Sequence, residues 1–542
     1  MGRSSLVGLC VFLFSLSFAQ GQKNRYMVFF KDKAGTPFDV NVPSAFLSQK
    51  AIERRINHDV PVTEQDLPVN PAYVQLVRDA GGEVFFQTRW MNGVLIQAGE
   101  DVVAAVSALA AVDRVELVGI NAKLSVGGRK RNVHEKKSNK SSTVTDLQLK
   151  MLGMDQMHSD GFHGEGVTIA ILDSGFEGVN VAGPFKHIFD EGRIDLTLSK
   201  DYVYNSGNVF QYDDHGTEVF SVIGAYQDGA FTGGAYEATF QLYVTEEVPT
   251  EYRVEEYNWI FAAERADSAG VDVIHSSLGY YDFDVNSMDY LKSQMDGETA
   301  VVTRAAQWAA DRGIIVVTSA GNEGNASWQI ITAPADAEDI LAVANVDVNL
   351  IRANSSSIGP SADQRIKPDL AALGTATSVV EKTGTIGKSS GTSLAAPLIT
   401  GLVAGIRQKY PALTNEQILE ALRKSASQGN NPDNLIGYGI PNFRAVVNYL
   451  EPVSQLEDFE VVPNPFDSGT NFLTIRPKNP QVENCVIEIL SSEGRSVFQA
   501  NPNFSFSNNV YAPDLSSLAQ GLYFLRIRVN DRNYTFKLVK NL

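Results

Sequence analysis

Asp173 ends the apolar run Ile169-Ala170-Ile171-Leu172, His215 stands in Asp213-Asp214-His215-Gly216-Thr217-Glu218, and Ser393 stands in Ser389-Ser390-Gly391-Thr392-Ser393-Leu394-Ala395-Ala396-Pro397. Singly, each has a plain structural reading. An aspartate at a strand's carboxyl end is often a turn former, a lone histidine is more often structural, and a serine behind glycine at a helix start reads as an N-cap. Together they supply the groups of acyl transfer: a hydroxyl nucleophile, an imidazole to take its proton, and an acid that sets the imidazole tautomer and stabilises the cation formed. The chain has seven histidines in all, so few other bases compete for the role.

The order Asp, His, Ser and the segments ILDSG, DHGTEV and SSGTSLAAP resemble the signature blocks of the subtilisin-like serine proteases, the subtilases. A fourth block, Ser319-Ala320-Gly321-Asn322-Glu323-Gly324, resembles the family's oxyanion segment. The resemblance implies that Asn322 donates its amide to the tetrahedral oxyanion, with the main-chain N–H of Ser393 as second donor. Ser276-Ser277-Leu278-Gly279 resembles the strand that pairs with the substrate backbone, which implies substrate-binding roles for Ser277, Leu278 and Gly279. Arg365-Ile366-Lys367-Pro368-Asp369-Leu370 also follows the family pattern. Two positions depart from it. Glu218 stands where many members have a second histidine, on the helix behind the base and off the proton path. Leu394 stands where methionine is usual, so no sulfoxide can form there beside the oxyanion site. The related sedolisins use Ser-Glu-Asp, but Asn322 and the intact His215-Gly216 pair argue against that group. His275, inside an apolar strand, reads as a packed core residue.

These residues need a scaffold that brings positions 173, 215 and 393 together. From residue 166 to about 450, apolar strands (167–172, 271–274, 314–318) alternate with amphipathic helices (215–226, 299–312, 393–410), the last stopped by Pro411. The alternation predicts an α/β domain with a doubly wound, mostly parallel sheet and its site at the strands' carboxyl ends. Before it, residues 25–118 read as β-α-β-β-α-β with helices at 48–55 and 101–111, a small α+β unit that resembles the inhibitory propeptide of subtilases. Residues 123–150 carry Arg129-Lys130-Arg131 and Lys136-Lys137 among Ser, Asn and Gly, a solvated linker in which processing is expected between Ala122 and Asp146. Residues 461–542 read as short strands with turns at Pro463-Asn464-Pro465, Glu493-Gly494-Arg495 and Gln520-Gly521, a small β-sandwich. Val462-Pro463-Asn464-Pro465-Phe466 and the ending Lys537-Leu538-Val539-Lys540 resemble the sorting domain of type IX secretion.

With 542 residues, 44% hydrophobic and 20% charged, the chain is too long for one domain and too apolar for wholesale disorder. Its net charge of −18, from 45 Lys and Arg against 63 Asp and Glu, repels polyanions and excludes nucleic acid as a partner class. Arg3, the apolar run 6–18 and Ser17-Phe18-Ala19 read as a secretory signal, and no later stretch approaches the ~20 apolar residues of a membrane span. Cys10 lies in that signal, which leaves Cys485 without an intramolecular partner. The expected organisation is signal peptide 1–19, propeptide 20–122, basic linker 123–145, peptidase domain 146–452 and sorting domain 453–542.

The expected function is a secreted serine endopeptidase made as an autoinhibited zymogen. Its expected partners are a protein or peptide substrate, its own propeptide and the type IX machinery. A non-catalytic surface adhesin or pseudo-protease that keeps the fold is the alternative. The chemistry requires no cofactor; calcium would suit a secreted enzyme without disulfides, yet no compact loop carries its ligand spacing. Glu246, Glu247, Glu251, Glu255 and Glu256 read as a solvated acidic loop, with a preference for basic substrates as the alternative.

Overall fold

Residues 169–172 form an unbroken apolar run, which a strand carries when both of its faces are covered. The computed structural model describes residues 23–120, 144–451, 459–467, 472–478, 485–502, 504, 510–529 and 532–541. The signal segment with Cys10 and nearly all of the basic linker lie outside the described residues. The run becomes Thr168–Asp173, in a seven-stranded sheet ordered Leu370–Leu373, Leu341–Val346, Ile315–Ser319, Val273–Ser276, Thr168–Asp173, Thr239–Val244, Lys200–Asp201. All six pairings are parallel. Thr168–Asp173 pairs with Thr239–Val244 on one side and with Val273–Ser276 on the other. The chain therefore winds away from this strand in both directions, and the crevice beyond its carboxyl end is where such sheets bind ligands. Asp173 sits at that end.

Period two sorts the side chains of these strands. Ala170, Leu172, Ile274 and Val316 join one apolar cluster with the helices Val254–Ala269 and Val301–Asp311. His275 points to the other face, where it meets Thr400 of the helix Thr392–Lys409. That helix is buried along almost its whole length, so its sequence is apolar on every side rather than on one stripe.

The first hundred described residues form a four-stranded antiparallel sheet ordered Glu83–Thr88, Gly93–Ala98, Asn24–Phe30, Val112–Gly119. Tyr26, Val28 and Phe30 pack on one face with Val74, Val77 and Val106 from two helices. Met27, Phe29, Leu95 and Val118, on the other face, share a core with Val254, Tyr257 and Phe261 of the helix Val254–Ala269. The open face of this sheet is thus its docking face. One expectation changes here. The helix expected at 48–55 exists, as Gln49–Asn57 capped by Ser48, but it packs on the peptidase helix Val254–Ala269. The helix that covers the sheet is Pro71–Asp79, opened by the Asn70 cap and by proline in its first turn.

The second compact unit begins at Val447. It holds two antiparallel sheets, Phe459–Val462 with Thr474–Pro477, and Ser496–Ala500, Val486–Ser491, Gly521–Val529, Arg532–Lys540 in that order. Phe459 and Ile475 from the first meet Ile487, Leu525 and Leu538 from the second in one apolar cluster. Lys540 is buried and its ammonium donates to the carbonyls of Leu515, Ser516 and Leu518, which gives the terminal motif a packing reason. Among the described residues no helix is long and apolar enough to cross a membrane.

Candidate active site

Asp173 is fully buried at its strand end, and one carboxylate oxygen accepts from the Ser174 main-chain N–H at 2.7 Å. The same oxygen lies 2.7 Å from His215 Nδ1. A carboxylate only accepts, so Nδ1 carries the hydrogen and Nε2 presents a lone pair. His215 opens the helix His215–Gly224, and its main-chain N–H is held by Asp213 at 2.7 Å. Gly216 is required by the close approach: a Cβ there would stand 2.4 Å from the Gly175 carbonyl and 3.0 Å from the Asp173 side chain.

Ser393 lies in the first turn of the helix Thr392–Lys409 and is 8% exposed. Its Oγ and the Asn322 side chain both face Gly391, where a Cβ would meet them at 3.0 Å and 3.6–3.7 Å. Asn322 Oδ1 accepts from the Thr392 N–H at 2.9 Å and from the Thr392 hydroxyl at 3.0 Å. With its oxygen committed to the helix start, the amide Nδ2 is the end left to donate into the cleft. Ser174, Ser277, Leu278, Gly279, Ser319, Asn322 and Ser393 line one cleft of about 390 Å³. The cleft brings Ser393, Asn322 and the 277–279 segment together with Ser174, the neighbour of Asp173, and Asp173 in turn holds His215.

His275 is buried, as expected, yet it is more than core filling. Its Nδ1 lies 2.7 Å from the Thr400 hydroxyl and its Nε2 2.9 Å from Ser277 Oγ, while Ser277 Oγ donates to the Ser393 carbonyl at 3.0 Å. Burial holds this imidazole down to about 3, so the ring is neutral. Ser277 gives its hydrogen to the Ser393 carbonyl, so Nε2 donates to Ser277 and Nδ1 is left to accept from Thr400, whose hydroxyl also lies 3.3 Å from the Ala396 carbonyl.

The acidic stretch differs from a solvated loop. Glu255 and Glu256 are 1% and 0% exposed in the first turn of the peptidase helix, where the helix dipole favours acids. Glu256 accepts from the Tyr290 hydroxyl at 3.0 Å and from the Val302 N–H at 3.1 Å, and burial pushes its carboxyl up to about 7. Glu246 accepts from the Tyr280 hydroxyl at 2.5 Å. Burial, and for Glu255 the neighbouring charges of Glu251 and Glu246, raise both carboxyls above their ordinary range. Glu246, Glu247, Glu251 and Glu255 line the same cleft as Ser393.

Thr332, another lining residue, carried no motif in the sequence. Its Oγ1 stands where a Cβ on Gly279 would come within 2.2 Å and one on Gly321 within 2.9 Å. Two glycines thus make room for one buried threonine.

Glu264 and Asp267 of the peptidase helix receive the N-terminal unit. Glu264 accepts from the Thr88 hydroxyl at 2.5 Å and from the main-chain N–H groups of Arg89 and Trp90 at 2.9 and 3.1 Å. Asp267 binds Arg54 at 2.5 Å, Arg55 at 2.9 Å, and Arg89. Burial alone would raise the Asp267 carboxyl, but the surrounding guanidinium groups outweigh it and hold it below its ordinary value.

Comparison with known proteins follows the same divisions. The subtilase family model matches residues 164–439, a Bacteroidota peptidase S8 propeptide model residues 25–140, and a secretion system C-terminal sorting domain model residues 460–541. Subtilisin NAT of Bacillus subtilis subsp. natto is 30% identical over 291 residues, which cover 53% of this chain and 68% of that protein. A thermostable alkaline protease of Halalkalibacterium halodurans is 25% identical over 322 residues, 57% of this chain and 77% of that one. In fold, the chain is similar to the epidermin leader peptide processing serine protease of Staphylococcus aureus, with a TM-score of 0.55 at 17% identity over 79% of this chain and 99% of that one. It is also similar to fervidolysin from Fervidobacterium pennivorans, with a TM-score of 0.50 at 18% identity over 94% of this chain and 71% of that one. The family match runs unbroken across the switch-point strand, the two helices that open at the cleft and the segments between them, and on that ground the chain belongs to the subtilase family of serine endopeptidases.

Proposed function

We propose that Ser393 is the nucleophile of this endopeptidase, His215 its base and acid, Asp173 the group that orients His215, and Asn322 an oxyanion donor. The hydrogen bond from His215 Nδ1 to the buried Asp173 carboxylate at 2.7 Å carries the reading. It commits Nδ1 and leaves the Nε2 lone pair to take the Ser393 proton as Oγ attacks the scissile carbonyl. The negative charge formed on the carbonyl oxygen is met by the Asn322 amide and the Ser393 N–H. The imidazolium, stabilised by Asp173, then gives its proton to the leaving amine, and water repeats the sequence on the acyl-enzyme.

The chain is exported as a propeptide-bearing zymogen, and its C-terminal sorting domain directs it to the cell surface or the extracellular space. The substrate class we infer is protein rich in basic side chains. Glu246, Glu247, Glu251, Glu255 and Glu323 line the cleft, and no lysine or arginine does so among the described residues. Ser277, Leu278 and Gly279 are read as the strand that pairs with the substrate backbone. No cofactor enters the proton path, since every group it uses is a side chain or a main-chain N–H. For structural calcium the fit is poor among the described residues. In His163, Glu165 and Glu237, and in Glu246, Glu251 and Glu255, three side chains each bring one ligand atom together, half or less of the six to eight that calcium takes.

Labelling with a fluorophosphonate tests the nucleophile. Processed enzyme should label and its Ser393→Ala variant should not; serine-independent labelling, or none in processed protein, would favour a non-catalytic adhesin. A peptide library with basic and acidic residues at equal frequency tests the substrate class, and cleavage indifferent to basic residues would remove it.

A further inference from the structure

His163 and Glu165 lie between the helix Met154–Ser159 and the strand Thr168–Asp173, and Glu237 lies just before the strand Thr239–Val244. These are the amino ends of two neighbouring strands, on the edge of the sheet opposite Asp173. His163 Nε2 is 3.0 Å from the His158 carbonyl. A carbonyl only accepts, so Nε2 carries the hydrogen and Nδ1 of the neutral ring is a lone-pair donor. That Nδ1 faces Glu165 Oε1 at 3.4 Å and Glu237 Oε2 at 3.6 Å. The three prospective ligand atoms all lie within 4.8 Å of one another.

The surroundings hold these groups toward one another. Gln408 donates its amide to Glu165 Oε2 at 2.5 Å, while its own oxygen accepts from the Gly164 N–H at 2.7 Å. The Glu237 N–H donates to the His163 carbonyl at 3.1 Å, tying the two segments together. Arg193, whose charge is felt at Glu237, donates to Glu191 and to the carbonyls of Tyr236 and Ala238. An imidazole whose far N–H is fixed by a carbonyl, beside a carboxylate fixed by an amide, is the outer-shell arrangement of metal ligands.

We propose that His163, Glu165 and Glu237 form a structural site for a divalent transition-metal ion, with zinc the best match. One imidazole nitrogen and two carboxylate oxygens suit zinc, whereas calcium takes oxygen ligands. Bound there, the ion clamps the entries to two adjacent central strands, so it acts on stability and leaves the cleft untouched.

The test uses the untagged full chain as its Ser393→Ala variant, which cannot digest itself, stripped with a chelator and titrated with zinc alone and with calcium alone. Zinc should bind and raise the thermal midpoint, with at least tenfold weaker binding and no thermal gain in His163→Ala and in the near-isosteric Glu237→Gln. Zinc affinity equal in parent and both variants overturns the site. Calcium binding these residues more tightly than zinc overturns the metal class. Nitrogen-15 spectra of His163 with both ring nitrogens protonated at neutral pH, with zinc present, identify an imidazolium bridging the two acids and likewise overturn the proposal.

Discussion

The Ser277 hydroxyl donates to the main-chain carbonyl of Ser393 over 3.0 Å. The segment that walls the cleft is thereby tied to the first turn of the helix that carries the nucleophile. Behind this bond stands His275, whose two nitrogens join Ser277 to Thr400, two turns further along the same helix.

His275→Asn should break that chain and leave buried hydroxyls at Ser277 and Thr400 poorly paired, at about 1–3 kcal/mol each. A positioning role predicts a lower kcat with KM little changed, and unchanged kcat in folded variant would assign His275 to packing alone. The pH profile separates the two further. The folded chain holds His275 neutral down to about 3 while the unfolded chain takes up its proton near 6.5. Stability contributed at neutral pH is therefore lost as pH falls from 6.5 toward 3. Urea midpoints across that window should fall more steeply for the parent than for His275→Asn.

Asn322→Ala removes an oxyanion donor whose oxygen end is anchored by Thr392. Its kcat should drop by ~10²–10³ with KM nearly constant. A similar loss in KM would place Asn322 in ground-state binding instead.

Asp267→Asn keeps the side chain's size and removes the charge that Arg54, Arg55 and Arg89 share. Leaving buried guanidinium groups uncompensated costs about 3–5 kcal/mol, or roughly two to four orders of magnitude in affinity. After the linker is cut in a Ser393→Ala background, the propeptide should stay with the parent on size-exclusion chromatography and separate from the variant.

His58 makes the same interface sensitive to acid. Its Nε2 lies 3.4 Å from Arg407, a group that only donates, so the imidazole is neutral. Burial and then the charges of Arg407 and Arg54 lower it to about 4, against a weaker opposing pull from Asp272. The released propeptide binds a proton on His58 near 6.5 that the docked one refuses until about 4. Docking therefore weakens as pH falls through that window. Retention measured between pH 7 and 4 should decline, and His58→Asn should flatten the decline.

Leu394, 1% exposed and next to Ser393, replaces an oxidisable thioether. The parent should keep its activity in hydrogen peroxide at doses that inactivate Leu394→Met. Equal inactivation of the two would refute this.

By itself the sequence determined the class of sheet and the order of the family segments, and it supplied the residues proposed for the site. Those properties are written in short stretches: an apolar run ending in Asp173, a glycine beside His215, small residues leading into a helix at Ser393. The same local reading placed a helix near residues 48–55 but could not say what it packs against. Which surface a helix covers depends on Asp267, more than two hundred residues away. The tertiary structure alone decided that Glu246 and Glu256 meet tyrosines thirty-four residues on, and so stand in protein contacts rather than in a wet loop. It alone set Thr332 between Gly279 and Gly321, and turned His275 from core filling into a link to Ser393. In each case the deciding fact is a partner brought in by the winding of the sheet, and burial, charge state and hydrogen bonding follow from that partner and not from the neighbours in the chain.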